Sequence, residues 1–169
     1  TNIQNQNIVE IGPGLGNLTD FIITKKPKSL ILIEKDLKLF NYLKNKYQDK
    51  KTIKLINSDA LKFNFSKLSD IKIISNLPYN ISTKIIIKLI FYNKNIKNII
   101  CMIQKELAEK FDYNKSKMNK YKFIIKLCTN YKMLFNVSNK VFYPKPKVDS
   151  KVVEFKLKNI QIDKNKLLN

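Results

Sequence analysis

Asn76-Leu77-Pro78-Tyr79 follows directly on the β-branched run Ile71 to Ile74 and Ser75. A short apolar run of this kind reads as a buried strand, so these four residues form the turn at its end. There the side-chain oxygen of Asn76 and the backbone carbonyl of Leu77 offer two neighbouring acceptors. Two such acceptors suit an amine attached to an aromatic ring, such as the amino group of adenine. That nitrogen is a poor nucleophile because its lone pair is delocalised into the ring. Taking up both of its hydrogens favours a tetrahedral nitrogen and stabilises the positive charge that develops on it. Pro78 stiffens the turn, and Tyr79 offers a face on which a base can stack. Asn and Pro also occur in ordinary strand-ending turns. The motif therefore draws its weight from the company it keeps.

A second constellation is Val9-Glu10-Ile11-Gly12-Pro13-Gly14-Leu15-Gly16. It holds all 3 glycines of the chain, after one apolar run and before a helix-like segment. Glycine is needed where the backbone takes positive φ or a ligand comes close. A strand-to-helix turn at the carboxyl edge of a parallel sheet is where such folds bind ligands. The dinucleotide fingerprint G-x-G-x-x-G would put glycine at position 17, where this chain has Asn17. The G-x-G-x-G spacing suits a ligand without a pyrophosphate. Glu34 ends the run Leu30 to Ile33 and opens Glu34-Lys35-Asp36, where its carboxylate can accept from both hydroxyls of a ribose. Nicotinamide and S-adenosylmethionine sites share this device, so Glu34 points to an adenosine-containing cofactor without choosing between them. After the third run, Asp59 is placed to accept from an adenine amino group, with Ala60 and Leu61 beside the ring. An isolated Asp at such a place also serves as a helix cap.

The elements that must hold these residues alternate along the chain. Ile8 to Ile11, Leu30 to Ile33, Ile53 to Ile56, Ile71 to Ile74 and Ile99 to Ile103 are predicted strands. Asn17 to Thr24, Leu37 to Tyr47 and Thr83 to Tyr92 are predicted helices; Leu37, Phe40 and Leu43 recur at helical spacing in the second. This alternation predicts an α/β fold, a mostly parallel sheet covered on both faces. Further on, Phe123 to Cys128 is expected to be helical and Met133 to Val137 a strand. Val152 to Leu157 alternates as an antiparallel strand would. Asp112 to Lys120 reads as a charged loop, Pro144 and Pro146 forbid regular structure around them, and the chain beyond Asn159 reads as a fraying polar tail. The expected division is a catalytic domain over 1–157 and a tail over 158–169.

Composition narrows the partners. A chain of 169 residues with 44% hydrophobic side chains can bury a core as one domain. No apolar run is long enough to span a membrane, and the polar opening from Thr1 carries no signal-peptide pattern. Cys101 and Cys128 stand outside any CxxC, and there are 0 histidines, so no zinc site is expected and a reducing intracellular compartment suits the thiols. The formal charge is +20, carried by 33 lysines and no arginine. Such a surface suits a polyanion, and lysine grips phosphates better than it reads bases. An AT-rich coding sequence would enrich Lys, Asn and Ile as well.

Taken in order, several segments resemble one family. They are Val9 to Gly16, Ile33 to Asp36, Asp59-Ala60, Asn76 to Ser82, Met102 to Glu106, and Phe142-Tyr143-Pro144-Lys145-Pro146-Lys147-Val148-Asp149-Ser150. The chain resembles the ribosomal RNA adenine N6,N6-dimethyltransferases, the small-subunit dimethyladenosine transferases, whose relatives include macrolide-resistance ribosomal methyltransferases and mitochondrial transcription factor B. The resemblance implies a Rossmann-like, seven-stranded class I S-adenosylmethionine-dependent methyltransferase fold with the last strand antiparallel. It implies S-adenosyl-L-methionine as cofactor, held by Glu10, Gly12, Pro13, Gly14, Gly16, Glu34, Lys35, Asp59, Ala60 and Asn76. Asn76, Leu77, Pro78, Tyr79 and Phe142 are implied at the reacting base, Phe142 packing opposite Tyr79. The implied substrate is two adjacent adenines near the 3′ end of small-subunit ribosomal RNA, in the pre-ribosomal small subunit, met by a monomer in the cytoplasm or an organelle. A non-catalytic assembly or transcription factor on the same fold is the alternative. The family's N-terminal segment that closes over the cofactor and its helical C-terminal domain are expected to be missing. Asn119-Lys120 stands where a Gly-Arg pair is usual, in the loop from Asn114 to Lys122.

Overall fold

Isoleucine-rich strands call for helices on both faces, and the chain supplies them fully on one face and only in part on the other. The computed structural model describes residues 2–113, 118–143 and 145–160. It begins β1 (Asn7–Ile11), α1 (Asn17–Thr24), β2 (Ser29–Glu34), α2 (Leu37–Lys46), β3 (Ile53–Asn57), β4 (Ile71–Asn76) and α3 (Ser82–Ile90). It continues β5 (Ile96–Gln104), α4 (Lys105–Phe111), α5 (Lys120–Cys128), β6 (Thr129–Val137) and β7 (Ser150–Leu157). The sheet runs β3-β2-β1-β4-β5-β7-β6. Its first five strands pair in parallel, and β7 lies antiparallel to both β5 and β6. The expected seven strands with an antiparallel last strand are present.

The period of two along each strand sorts the core into layers. Val9, Ile11, Ile33 and Ile73 join Ile86, Ala108 and Ile125 of α3, α4 and α5 in one cluster. Ile8, Leu30 and Leu32 join Ile22 of α1, Leu43 of α2 and Tyr47 in the other. On that second side, Ile74, Ile100, Met102 and Val152 line an open apolar groove of about 440 Å³, together with Leu18 and Phe21 of α1.

Several elements exceed or escape their sequence pattern. The seven-residue helix α4 is absent from the hydrophobic periodicity, because only Ala108 and Phe111 of its charged sequence are buried. The expected charged loop over 112–120 ends a residue early: Asn119 caps α5 by accepting from the Lys122 N–H at 2.9 Å, which makes Lys120 helical. Strands β5, β6 and β7 outrun their apolar runs because ladder pairing extends into polar residues such as Ser150 and Gln104. A short 3₁₀ turn, Asn139–Val141, interrupts the loop between β6 and β7. Of the expected tail, Lys158 and Ile160 stay fastened, their carbonyls accepting from the Asn93 amide at 3.0 and 2.6 Å. The expectations for Thr1, Pro144, the loop residues 114–117 and the tail 161–169 lie outside the described residues.

Candidate active site

Strand order turns at β1. The chain builds outward from it to β2 and β3, then returns to place β4 on its other side. Ligands in open α/β sheets bind at such a switch point, beyond the carboxyl ends of the two strands. Here those ends carry the glycine turn, after β1, and Asn76-Leu77-Pro78-Tyr79, after β4. The two motifs, 60 positions apart in sequence, become neighbours. Ser75 also ties them together, its hydroxyl donating to the Ile11 carbonyl.

The glycine turn is shaped by its own residues and braced from beneath. Gly12 donates to the Ile33 carbonyl at 2.9 Å, which links the turn to β2. Gly14, at φ +60°, has nothing within 4 Å of the place a Cβ would occupy, so the turn leaves room for a close-lying ligand. Gly16, at φ +84°, is different: a Cβ there would strike the Tyr47 hydroxyl. That hydroxyl shares its hydrogen between the Asp20 carboxylate at 2.7 Å and the Gly16 carbonyl at 3.1 Å. Burial, then the bond to Asp20, pushes Tyr47 up to about 12, so it stays a donor near neutral pH. Beside it, Lys46 Nζ donates to Asp20 at 2.7 Å and to the Leu15 carbonyl at 3.1 Å.

Glu34 sits at the end of β2 with its carboxylate oriented by two backbone donors. The Gly14 N–H reaches Oε2 at 3.3 Å and the Asp36 N–H reaches Oε1 at 2.9 Å. Each oxygen keeps a second lone pair, enough to accept from two vicinal hydroxyls. Asp59 accepts from the Leu61 N–H at 2.9 Å and pairs with Lys35 at 3.0 Å. The Leu61 N–H, followed by Lys35, holds its carboxyl below the usual range. Asp59 therefore organises a turn and caps no helix, since none follows it before the 3₁₀ turn at 65–67, and it remains an anionic acceptor just beyond β3. Ala60 is buried beside it. Lys35 reaches Asp59, and its side chain is otherwise largely exposed. Glu10 stands on β1, two residues before Gly12. Its side chain is 1% exposed, turned to the α1 face, and accepts from the Thr19 hydroxyl at 2.7 Å. Burial pushes its carboxyl up to about 7 against the opposing effect of that bond.

The turn after β4 opens on a second cavity of about 310 Å³, lined by Asn76, Leu77, Pro78, Tyr79, Phe142, Tyr143 and Pro146. Leu77 is anchored through its buried side chain and through its N–H, which donates to the Met102 carbonyl at 3.2 Å. Among the described residues, nothing donates to the Leu77 carbonyl or holds the Asn76 side chain. Both acceptors are thus at hand on the cavity wall. Tyr79 and Phe142, 63 positions apart, line one cavity as the resemblance implies.

The family model for ribosomal RNA adenine dimethylase matches residues 1–169, the whole chain. The chain belongs to the ribosomal RNA adenine dimethylase family. A family relative, Ribosomal RNA small subunit methyltransferase A of Malacoplasma penetrans, is 40% identical over 157 residues, covering 90% of this chain and 56% of the relative. The protein of the same name from Pelagibacter ubique is 40% identical over 162 residues, 92% of this chain and 61% of its own length. The chain thus spans somewhat more than half the length of these relatives. A solved dimethyladenosine transferase from Plasmodium falciparum shares the fold with a TM-score of 0.80 and 32% identity, covering 92% of this chain and 57% of that one. The 23S rRNA methyltransferase ErmE, at 21% identity and a TM-score of 0.81, shows the same fold over 98% of this chain and 68% of its own.

Within this family chain, sequence reasoning overlooked Tyr47, Asp20 and Lys46, which carried no motif signal. It also overlooked Tyr143, a cavity-lining ring that is fully exposed. The signal for Tyr143 existed in its place between Phe142 and the prolines.

Proposed function

We propose that this chain is the catalytic part of an S-adenosylmethionine-dependent enzyme that dimethylates N6 of two adjacent adenines near the 3′ end of small-subunit ribosomal RNA. The observation that carries this reading is the meeting of the glycine turn and the Asn76 turn on adjacent strands at the switch point. The site fits S-adenosylmethionine: Gly12 and Gly14 leave open space at the turn, Glu34 offers two oriented oxygens, and Asp59 offers a carboxylate. Glu34 would take the ribose hydroxyls, Asp59 with Ala60 the adenine end, and Gly12, Pro13, Gly14 and Gly16 the turn around the ligand. When bound, this cofactor supplies an electrophilic methyl group. Glu10 serves from beneath, through Thr19 and α1, and Lys35 through its ion pair with Asp59.

The protein's share of the chemistry is alignment and charge stabilisation. Asn76 Oδ1 and the Leu77 carbonyl accept the two amino hydrogens, which turns the nitrogen lone pair out of the ring. Tyr79 and Phe142 hold the flipped base from its two sides. The proton released on transfer leaves to water, so the chain's lack of histidine is no obstacle. Lysine-rich composition supports an RNA backbone as partner. Cys101 and Cys128 are both free thiols, which suits a reducing compartment such as the cytoplasm or an organelle.

Asn76→Ala tests the reading directly. It should leave S-adenosylmethionine affinity within about threefold of wild type in calorimetry while methyl transfer to precursor small subunits drops by roughly two to three orders of magnitude. Transfer at the wild-type rate would remove Asn76 from the mechanism and the reading with it.

A further inference from the structure

The two rings of the base slot come from distant places, Tyr79 from the turn after β4 and Phe142 from the loop before β7. One dipeptide is bonded to the first ring and to the turn that leads into the second. Ser150, fully buried at the start of β7 and paired with Gln104 of β5, is hydrogen-bonded through its hydroxyl to that of Tyr79. Its neighbour Asp149 accepts the Asn139 N–H on Oδ1 at 2.9 Å, at the start of the 3₁₀ turn that leads into Phe142. The Asp149 carbonyl accepts the Lys105 N–H at 3.0 Å, which fastens the dipeptide to the start of α4. The Asn139 amide in turn donates to the Pro146 carbonyl at 3.3 Å, across the same loop.

We propose that Asp149 and Ser150 form a latch that sets the width and orientation of the base slot, Ser150 by aiming Tyr79 and Asp149 by holding the loop that carries Phe142. Both are positioning residues and touch no substrate. The inference rests on the methyltransferase reading only in taking adenine as the slot's occupant. Its physical basis is the freedom of a half-buried tyrosine. Without the Ser150 bond the ring samples more orientations, and a base must order it on entry at an entropic cost. A neutral hydrogen bond of this kind corresponds to roughly a three- to tenfold change in affinity. The bond joins two side chains, so removing either partner should produce the same defect.

The test uses Ser150→Ala, Tyr79→Phe and the double variant in the natural protein. Affinity for an adenine-containing RNA hairpin is measured without cofactor, alongside S-adenosylmethionine affinity, kcat and KM for RNA. Each single variant should weaken hairpin binding and raise the RNA KM about three- to tenfold, and the double variant should be no worse than either. S-adenosylmethionine affinity should stay within about twofold, which a general loosening of the fold would not allow. Asp149→Ala should show the same RNA-side defect, and Asp149→Asn, which still offers an oxygen to Asn139, should restore binding. Additive effects, equal losses on the cofactor side, or unchanged hairpin affinity would each overturn the latch. Cofactor-free binding reads it whether or not wild type transfers methyl groups. Absence of methyl transfer by wild type would instead sink the methyltransferase reading.

Discussion

Glu10 shows how one residue's surroundings can be turned into a measurable quantity. Its carboxyl is buried and pushed up from 4.5 to about 7, chiefly by desolvation. Below pH 4.5 both the folded and the unfolded chain hold this proton. Between that point and about 7 the folded chain keeps a proton that the unfolded chain has released, so this residue's effect on stability worsens as pH rises. Above about 7 the folded residue ionises too, and the full penalty persists at on the order of 3 kcal/mol. Glu10→Gln keeps an oxygen for the Thr19 hydroxyl and removes the charge. The variant should match wild type near about pH 4 and exceed it by on the order of 1–3 kcal/mol near pH 8, read from denaturant midpoints. A difference independent of pH would mean that Glu10 is not held as a desolvated acid.

At the level of elements, the glycine turn is a joint between β1 and α1 that the end of α2 braces. Gly16→Ala places a side chain at φ +84°, where left-handed backbone costs about 1–2 kcal/mol, and drives its Cβ into the Tyr47 hydroxyl. The expected loss in Tm is roughly 2–8 °C, with weaker S-adenosylmethionine binding. A Tyr47→Phe background already lacks the bond to Asp20. There Gly16→Ala should cost less, a partial recovery of this Tm loss, because the hydroxyl clash is gone while the backbone strain remains. No recovery would show that Tyr47 is not what excludes a side chain there. The brace marks the limit of what the residues reveal in order. The strands were legible because runs such as Ile71 to Ile74 can only be buried, and the motifs at their ends followed. The family motifs set Phe142 opposite Tyr79 at the base, and the two rings line one cavity. Tyr47 and Asp20 meet across 27 positions, and neither stands in a motif; only the packing of α2 against α1 brings them together. Helix α4 escaped because a seven-residue segment with two buried side chains has too little periodicity to register. The orientation of Glu10 escaped because its neighbours Val9 and Ile11 are buried too, so alternation marked neither face as polar.

For the molecule as a whole, the question is whether +20 of formal charge is a grip or a bias of composition. The two origins differ in one observable. Lysines that contact phosphates release counterions on binding, and affinity then falls along a straight line in log[salt]. Lysines scattered by coding bias raise the general field, which screening weakens over a Debye length of about 10 Å, without fixing a contact number. With no arginine, the chain lacks the guanidinium fork that grips a phosphate bidentately, so a backbone grip must come from single lysine contacts. Roughly three such contacts on single-stranded RNA would cost about twentyfold in affinity between about 50 and 200 mM salt. Hairpin titrations over that range should therefore fall at least this steeply, while Asn76→Ala shifts the line without changing its slope. The slope belongs to the lysines and the offset to the slot, so a salt-insensitive affinity would assign RNA binding to the aromatic cavity alone.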